Sequence, residues 1–219
     1  MGFKDNPIVF LLRKLWKYSK GNRKNVILYF SLLLVANLIN LVEPLVVAYL
    51  LNMIQEQGVN SGNIMTIMGI LFLFVLLSIG FWFFHGPGRV IEIRNAFLVR
   101  ANYKKHLLDG TMDLPAKWHS DHHSGDTIDK IDKGTNALFH FSESSFEVME
   151  IFVRLFGSYI ALIYFNLHAS YIVALMLLIS FITILRFDKV LRKNYKELNK
   201  NENDIAAKVF DTISNITTV

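Results

Sequence analysis

Apolar blocks alternate with basic, polar ones along the chain. The blocks at 26–54, 64–86, 142–165 and 167–187 are apolar around most of a helical circumference. Each is long enough for a helix to cross about 30 Å of hydrocarbon, which takes about 20 residues. The pattern predicts four membrane-spanning helices. The first exceeds the need, so it tilts or projects past the bilayer. Ahead of it, residues 1–25 hold an amphipathic stretch beginning at Pro7, a residue suited to a first helical position. Ile8, Leu11, Leu12, Leu15 and Trp16 share one stripe, and Arg13, Lys14, Lys17 and Lys20 face elsewhere. This predicts an elbow helix lying in the interface plane; the alternative is a plain basic flank. The apolar run 8–12 is too short for a secretory signal and is followed by Arg13 and Lys14.

The polar blocks also read as helical. Over 89–109, Val90, Ile93, Phe97, Ala101 and Leu108 recur at helical spacing. Leu114-Pro115 marks a boundary, and 127–141 turns helical again and continues into the third span. The tail 188–219 has helical composition. A gap as long as 87–141 needs structure of its own. The spans are therefore expected to continue beyond the bilayer as stalks.

Charge sets the direction. Every Lys and Arg except Arg154 lies in residues 1–25, in 87–141, or in the tail from Arg186 onward. The connections QEQGVNSGN and NLHAS carry none. The positive-inside rule places the N-terminus, the loop 87–141 and the tail 188–219 in the cytoplasm. The chain is then a multi-pass protein of the plasma membrane. Composition narrows the class. With 53% hydrophobic residues, 19% charged residues and 18 Phe among 219, disorder is excluded. The absence of Cys excludes a disulfide scaffold and a Cys-based metal site. The net charge of +5 follows from topology and anionic headgroups, with no nucleic-acid partner implied.

Polar residues inside the apolar blocks are the first candidates. Asn37, Asn40 and Glu43 recur every three residues on the first span. Glu143, Glu147, Glu150 and Arg154 recur at helical spacing on the third. Charges in lipid are costly, so these faces line protein or water. Asn40, Glu43, Glu147, Glu150 and Arg154 either border a substrate path or pair to hold helices together, with Glu43–Arg154 as one pairing. Glu150 stands four residues before Arg154, the favourable order for a pair within one helix. His119, His122 and His123 lie near Asp121 and Asp126, but a short His tract is only compositional evidence, and no metal site is assigned. Asn215-Ile216-Thr217 fits a glycosylation pattern, yet the charge rule puts it in the cytoplasm. No catalytic residue is assigned.

Several motifs together resemble the transmembrane domain of ABC exporters, the type-1 transmembrane region. LPAKWHSDHHSGDTIDKI is similar to that family's first cytoplasmic loop, with Pro115, Trp118, Gly125 and Asp126 in matching places and His119 replacing the second aromatic. EPLVVAYLLNMI is similar to its first-span ending, with Pro44 in place. AAKVFDTISNITTV resembles its second loop, with Asp211 for the usual Glu and Asn215 for the usual Gly. The family usually has a Ser-Arg pair and later a Thr/Asn-Asp pair where this chain has Asp129-Lys130 and Lys133-Gly134. The resemblance implies an all-α membrane fold, here four of six transmembrane helices with long cytoplasmic extensions. It implies coupling to an ATPase domain through His122, His123, Ser124, Gly125, Asp126, Lys130, Asp211 and Asn215. It further implies ATP-driven export by alternating access, a second half-transporter (identical or different), and ATP with Mg in the nucleotide-binding domain. This chain has no G-x-x-x-x-G-K-[ST] loop to cradle ATP phosphates. It ends at Val219 without a helix-stop signal and so reads as an N-terminal portion lacking two spans and the ATPase domain. The alternative is a stand-alone four-span scaffold or assembly protein.

Overall fold

The computed structural model describes residues 7–122 and 124–214, and they are helical almost throughout. The helices are α1 (Pro7–Tyr18), α2 (Arg23–Gln57), α3 (Ile64–Met112), α4 (Ala116–Asp121), α5 (Ser124–Glu143), α6 (Ser145–Phe165) and α7 (Leu167–Ser214). Four of them, α2, α3, α6 and α7, are long and apolar enough to cross a membrane. The apolar window of α6 has 0% of its residues buried, and that of α3 only 11%. Surfaces this apolar and this exposed call for lipid as their solvent. The chain divides into two compact units, Met1–Tyr103 with Asn136–Ala161, and Lys104–Thr135 with Leu162–Val219.

The first unit contains most of the buried apolar side chains. Leu15 of α1 packs with Val26, Tyr29 and Leu33 of α2, and Ile91, Phe141, Phe146 and Met149 close around them. A second cluster joins Tyr18, Val99 and Leu138, with Leu11 and Tyr103 beside it. The α1 stripe therefore splits. Leu11, Leu15 and Tyr18 turn inward, while Ile8, Leu12 and Trp16 stay exposed. A polar latch ends α1. Asn22 donates to Asn95 Oδ1 (3.0 Å), Asn95 donates to Ser19 Oγ (3.1 Å), and Asn102 donates to the Tyr18 carbonyl (2.8 Å). Gly88 lets α3 approach α2, since a Cβ there would sit 2.8 Å from Leu33 Cδ2. Gly58 ends α2 at φ +65°, and its N–H bonds the Ile54 carbonyl (2.9 Å). Asn60 and Asn63 then fold the short turn by side-chain bonds to its backbone.

The second unit is held mainly by polar contacts. Lys104 pairs with Asp132 (2.6 Å), joining α3 to α5. Lys133 pairs with Asp129 (3.0 Å) and donates to Asn203 Oδ1 of α7 (2.7 Å). Ile131 is the one buried apolar side chain among its described residues.

One expectation changes. The helix expected to run from 127 into the third span is interrupted at Ser144, where the Glu143 carbonyl and the Phe146 N–H bond to α3 side chains while Ser144 keeps its helical bonds to His140 and Val148. The second loop that the family resemblance implies belongs to α7 as far as it is described, to Ser214. α7 runs unbroken from Leu167 to Ser214, because no Gly or Pro intervenes.

Candidate functional site

The break at Ser144 is built around a pair on α3. Arg89 and Glu92 are three residues apart, past the apolar window 64–86, with Nη1 donating to Oε2 at 2.5 Å. Glu92 is fully buried. Its Oε1 accepts the Ser145 hydroxyl (2.5 Å) and the backbone N–H of Phe146 (2.9 Å). Arg89 Nη1 also donates to the carbonyl of Glu143, the last residue of α5 (2.7 Å). A cation thus caps the C-terminus of α5 and a carboxylate caps the N-terminus of α6, each matched in sign to its helix dipole. Burial pushes the Glu92 carboxyl above the ordinary carboxylate range, while the Ser145 hydroxyl, Arg89 and the Phe146 amide pull it back.

Within the apolar windows, α2 and α6 present a polar chain. Arg154 Nη2 lies 2.9 Å from Glu150 Oε1, one turn away on α6. With its amide nitrogen toward Glu43, Asn40 donates to Glu43 Oε2 (3.2 Å) and accepts from Arg154 Nη2 (2.9 Å). The opposite amide orientation would set oxygen against carboxylate and nitrogen against guanidinium. Glu43 and Arg154 are therefore joined through Asn40, not as a direct pair. Glu147 lies exposed on α6, one turn before Glu150. Two clefts share Asn40 and Glu43. One, of about 840 Å³, is bordered also by Val47, Ile151, Arg154 and Leu155. The other, of about 140 Å³, is bordered by Ile39, Leu77, Ser78, Phe81 and Trp82.

The loop after α3 holds the other group of expected site residues. Pro115 precedes α4, and the His122 ring stacks on Trp118 with centroids 4.3 Å apart. Ser124 opens α5, so Gly125 and Asp126 occupy its first turn and not an open turn. Lys130 pairs with Asp126 at 2.6 Å, one turn on. Among the described residues no three His, Asp or Glu side chains stand together as a metal site. His123 and Asn215 lie outside the described residues, and Asp211 is described only as part of the α7 backbone.

The profile of the ABC transporter transmembrane region matches residues 26–219, nearly the whole chain. The chain belongs to this family. No curated protein matches it in sequence. As an ABC transporter transmembrane region it is a multi-pass, all-α membrane protein, with α2, α3, α6 and α7 as its candidate spans. The profile begins at Val26, so α1 precedes the matched region. In this ABC transmembrane region the Arg89–Glu92 caps escaped the sequence reading, because both residues sit in a charged stretch that resembles a solvated face. The available signal was spacing: Gly88, Glu92, Asn95 and Val99 fall on one helical stripe, and all four are buried.

Proposed function

We propose that this chain forms the membrane-spanning part of an ATP-driven exporter working by alternating access. The observation that carries the reading is the continuity of α3, whose apolar window passes without a break into a charged half ending at Met112. A continuous helix of that kind can pass movement from a docked motor toward the bilayer. The family match over 26–219 supports it. On this reading the N-terminus, the α3–α5 loop and the far end of α7 are cytoplasmic, in the plasma membrane, in keeping with the basic residues gathered there. Ser124, Gly125, Asp126 and Lys130, with His122 and His123 before them, dock on a nucleotide-binding domain, and Asp211 and Asn215 belong to a second contact. ATP and Mg bind in that domain, since no Gly-rich Lys loop in this chain could hold phosphates. A second half-transporter completes the path bordered by Asn40, Glu43, Glu147, Glu150 and Arg154.

No Cys occurs in these 219 residues, so each introduced thiol is the only one in this segment. Ser61→Cys, Ser124→Cys and Val47→Cys are introduced singly into the full chain, reconstituted with its nucleotide-binding domain. An impermeant maleimide should reach Cys at 124 only from the cytoplasmic face and at 61 only from the outer face. Labelling at 47 should change when ATP and vanadate are added. Reversed sidedness, or labelling at 47 indifferent to nucleotide, would overturn the reading.

A further inference from the structure

Glu43 stands in the middle third of the apolar stretch 26–54, with an exposed carboxylate. Among the described residues no cationic side chain reaches it at ion-pair distance; it accepts from the neutral amide of Asn40. Arg154 does not fill the need, because its guanidinium lies against Glu150. Counting Glu43, Glu150 and Arg154, the polar chain keeps one negative charge in excess, and exposed Glu147 adds another on the same helix. A carboxylate held at this depth without a counter-charge is costly, and a cation would relieve the cost. The smaller cleft at Glu43 offers more than charge. Phe81 and Trp82 border it, with centroids 5.7 Å apart and planes edge to face, and Trp82 is 64% exposed. Phe81 also stacks on His85, with centroids 4.7 Å apart, so one of its faces is already covered and Trp82 is the more open ring. An aromatic ring bordering the same cleft as a carboxylate favours alkylated ammonium groups, which gain cation–π attraction and need little hydration. Ile39, Leu77 and Ser78 complete a wall without a second charge. Its volume of about 140 Å³ suits a compact head, not a large molecule. The adjoining cleft of about 840 Å³, with Val47, Ile151 and Leu155, provides apolar surface for a body attached to that head.

We infer that Glu43, Phe81 and Trp82 form a recognition site for the ammonium head of a cationic amphiphile. The inference rests on the exporter reading for its role in transport, and names the class of molecule that enters the path. An amphiphile with an anionic head would face the Glu43 carboxylate and lose the aromatic contribution, so charge sign is the property the site reads.

The test uses two probes with one fluorophore and opposite heads: trimethylammonium-diphenylhexatriene and diphenylhexatriene propionate. Trp16→Phe and Trp118→Phe leave Trp82 as the sole indole of these 219 residues, studied in neutral-lipid nanodiscs. Energy transfer from Trp82 then reports occupancy at matched amounts of membrane-bound probe. The cationic probe should bind about tenfold tighter than the anionic one. Glu43→Gln should reduce the preference to about twofold or less, and Phe81→Leu should weaken cation binding severalfold while leaving the anion unchanged. The second variant keeps the test valid if the first does not fold. Equal transfer from both probes in the parent chain, or a preference untouched by either substitution, would refute the site. No nucleotide is needed, so that failure would leave the exporter reading standing. Failure of the nucleotide-dependent labelling at position 47 would remove the exporter reading while leaving cation binding measurable.

Discussion

Glu92 on α3 accepts the backbone N–H of Phe146 on α6 at 2.9 Å, replacing a bond that an unbroken helix would make within itself. Losing this carboxylate leaves the Phe146 amide without its acceptor, while Arg89 keeps the Glu143 carbonyl and the Ser145 hydroxyl keeps the Ser142 carbonyl. Glu92→Ala should destabilise the chain by about 1–3 kcal/mol, because it leaves that amide unsatisfied and Arg89 without its carboxylate. Ser145→Ala removes one neutral donor and should cost about 1 kcal/mol. Denaturant unfolding in mixed micelles, followed by helical circular dichroism, measures both. Equal, small losses would mean that the break at Ser144 is not held by α3.

The same carboxyl gives a signed pH effect. Burial raises its pKa in the folded chain above the ordinary value of 4.5. The folded state then holds the proton more firmly than the unfolded state. The resulting contribution is fully present below the unfolded value and is lost as pH rises through the folded one. Thermal midpoints taken from about pH 4 to about pH 8 should fall more steeply for the parent chain than for Glu92→Gln, which has no proton to lose. Parallel profiles would remove Glu92 from the account.

Gly88 sets how closely α3 approaches α2. An added Cβ would stand 2.8 Å from Leu33 Cδ2 and 3.4 Å from Leu32 Cβ, and Leu33 is fully buried. Gly88→Ala gains helix propensity but must displace Leu33, for a net loss of about 1–2 kcal/mol. Gly88→Val should be worse, and Leu33→Ala should restore part of the loss in the double variant. By contrast Gly86, one turn-fragment earlier, has nothing within 4 Å of such a Cβ, so Gly86→Ala should be neutral or stabilising. Chemical denaturation of the four variants and the double variant gives the ranking.

The Asp126–Lys130 pair on the first turns of α5 is largely exposed, so its removal should cost less than about 0.5 kcal/mol. On the proposed docking, Gly125→Ala with Asp126→Ala should leave the unfolding midpoint unchanged and yet disconnect ATP hydrolysis by the nucleotide-binding domain from transport. Vesicle transport and phosphate release, measured on one preparation, separate the two effects. Transport at the parent rate would count against docking at this turn.

Much of the architecture was legible because lipid imposes long, simple patterns. The four apolar blocks map onto α2, α3, α6 and α7, and the boundary at Leu114-Pro115 separates α3 from α4. What escaped was tertiary. The break at Ser144 has no Gly or Pro to mark it, and it depends on Glu92, more than fifty residues earlier in the chain. The link from Glu43 to Arg154 through Asn40 was likewise hidden, since spacing along one helix says nothing about which amide stands between two others. Splitting of the α1 stripe followed the same logic. Five apolar residues share a face, but only their packing decides that Leu15 is enclosed while Trp16 is not.

The latch at the end of α1 uses amides and hydroxyls from Ser19, Asn22, Asn95 and Asn102, with no ion pair among them. Uncharged bonds are indifferent to ionic strength. On the proposed exporter reading, with α1 lying in the interface plane, any rolling of α3 would carry α1 with it through the headgroup layer. The viscosity and crowding of that lipid layer would then act as a brake on turnover, felt by the protein through a helix that touches neither cargo nor fuel.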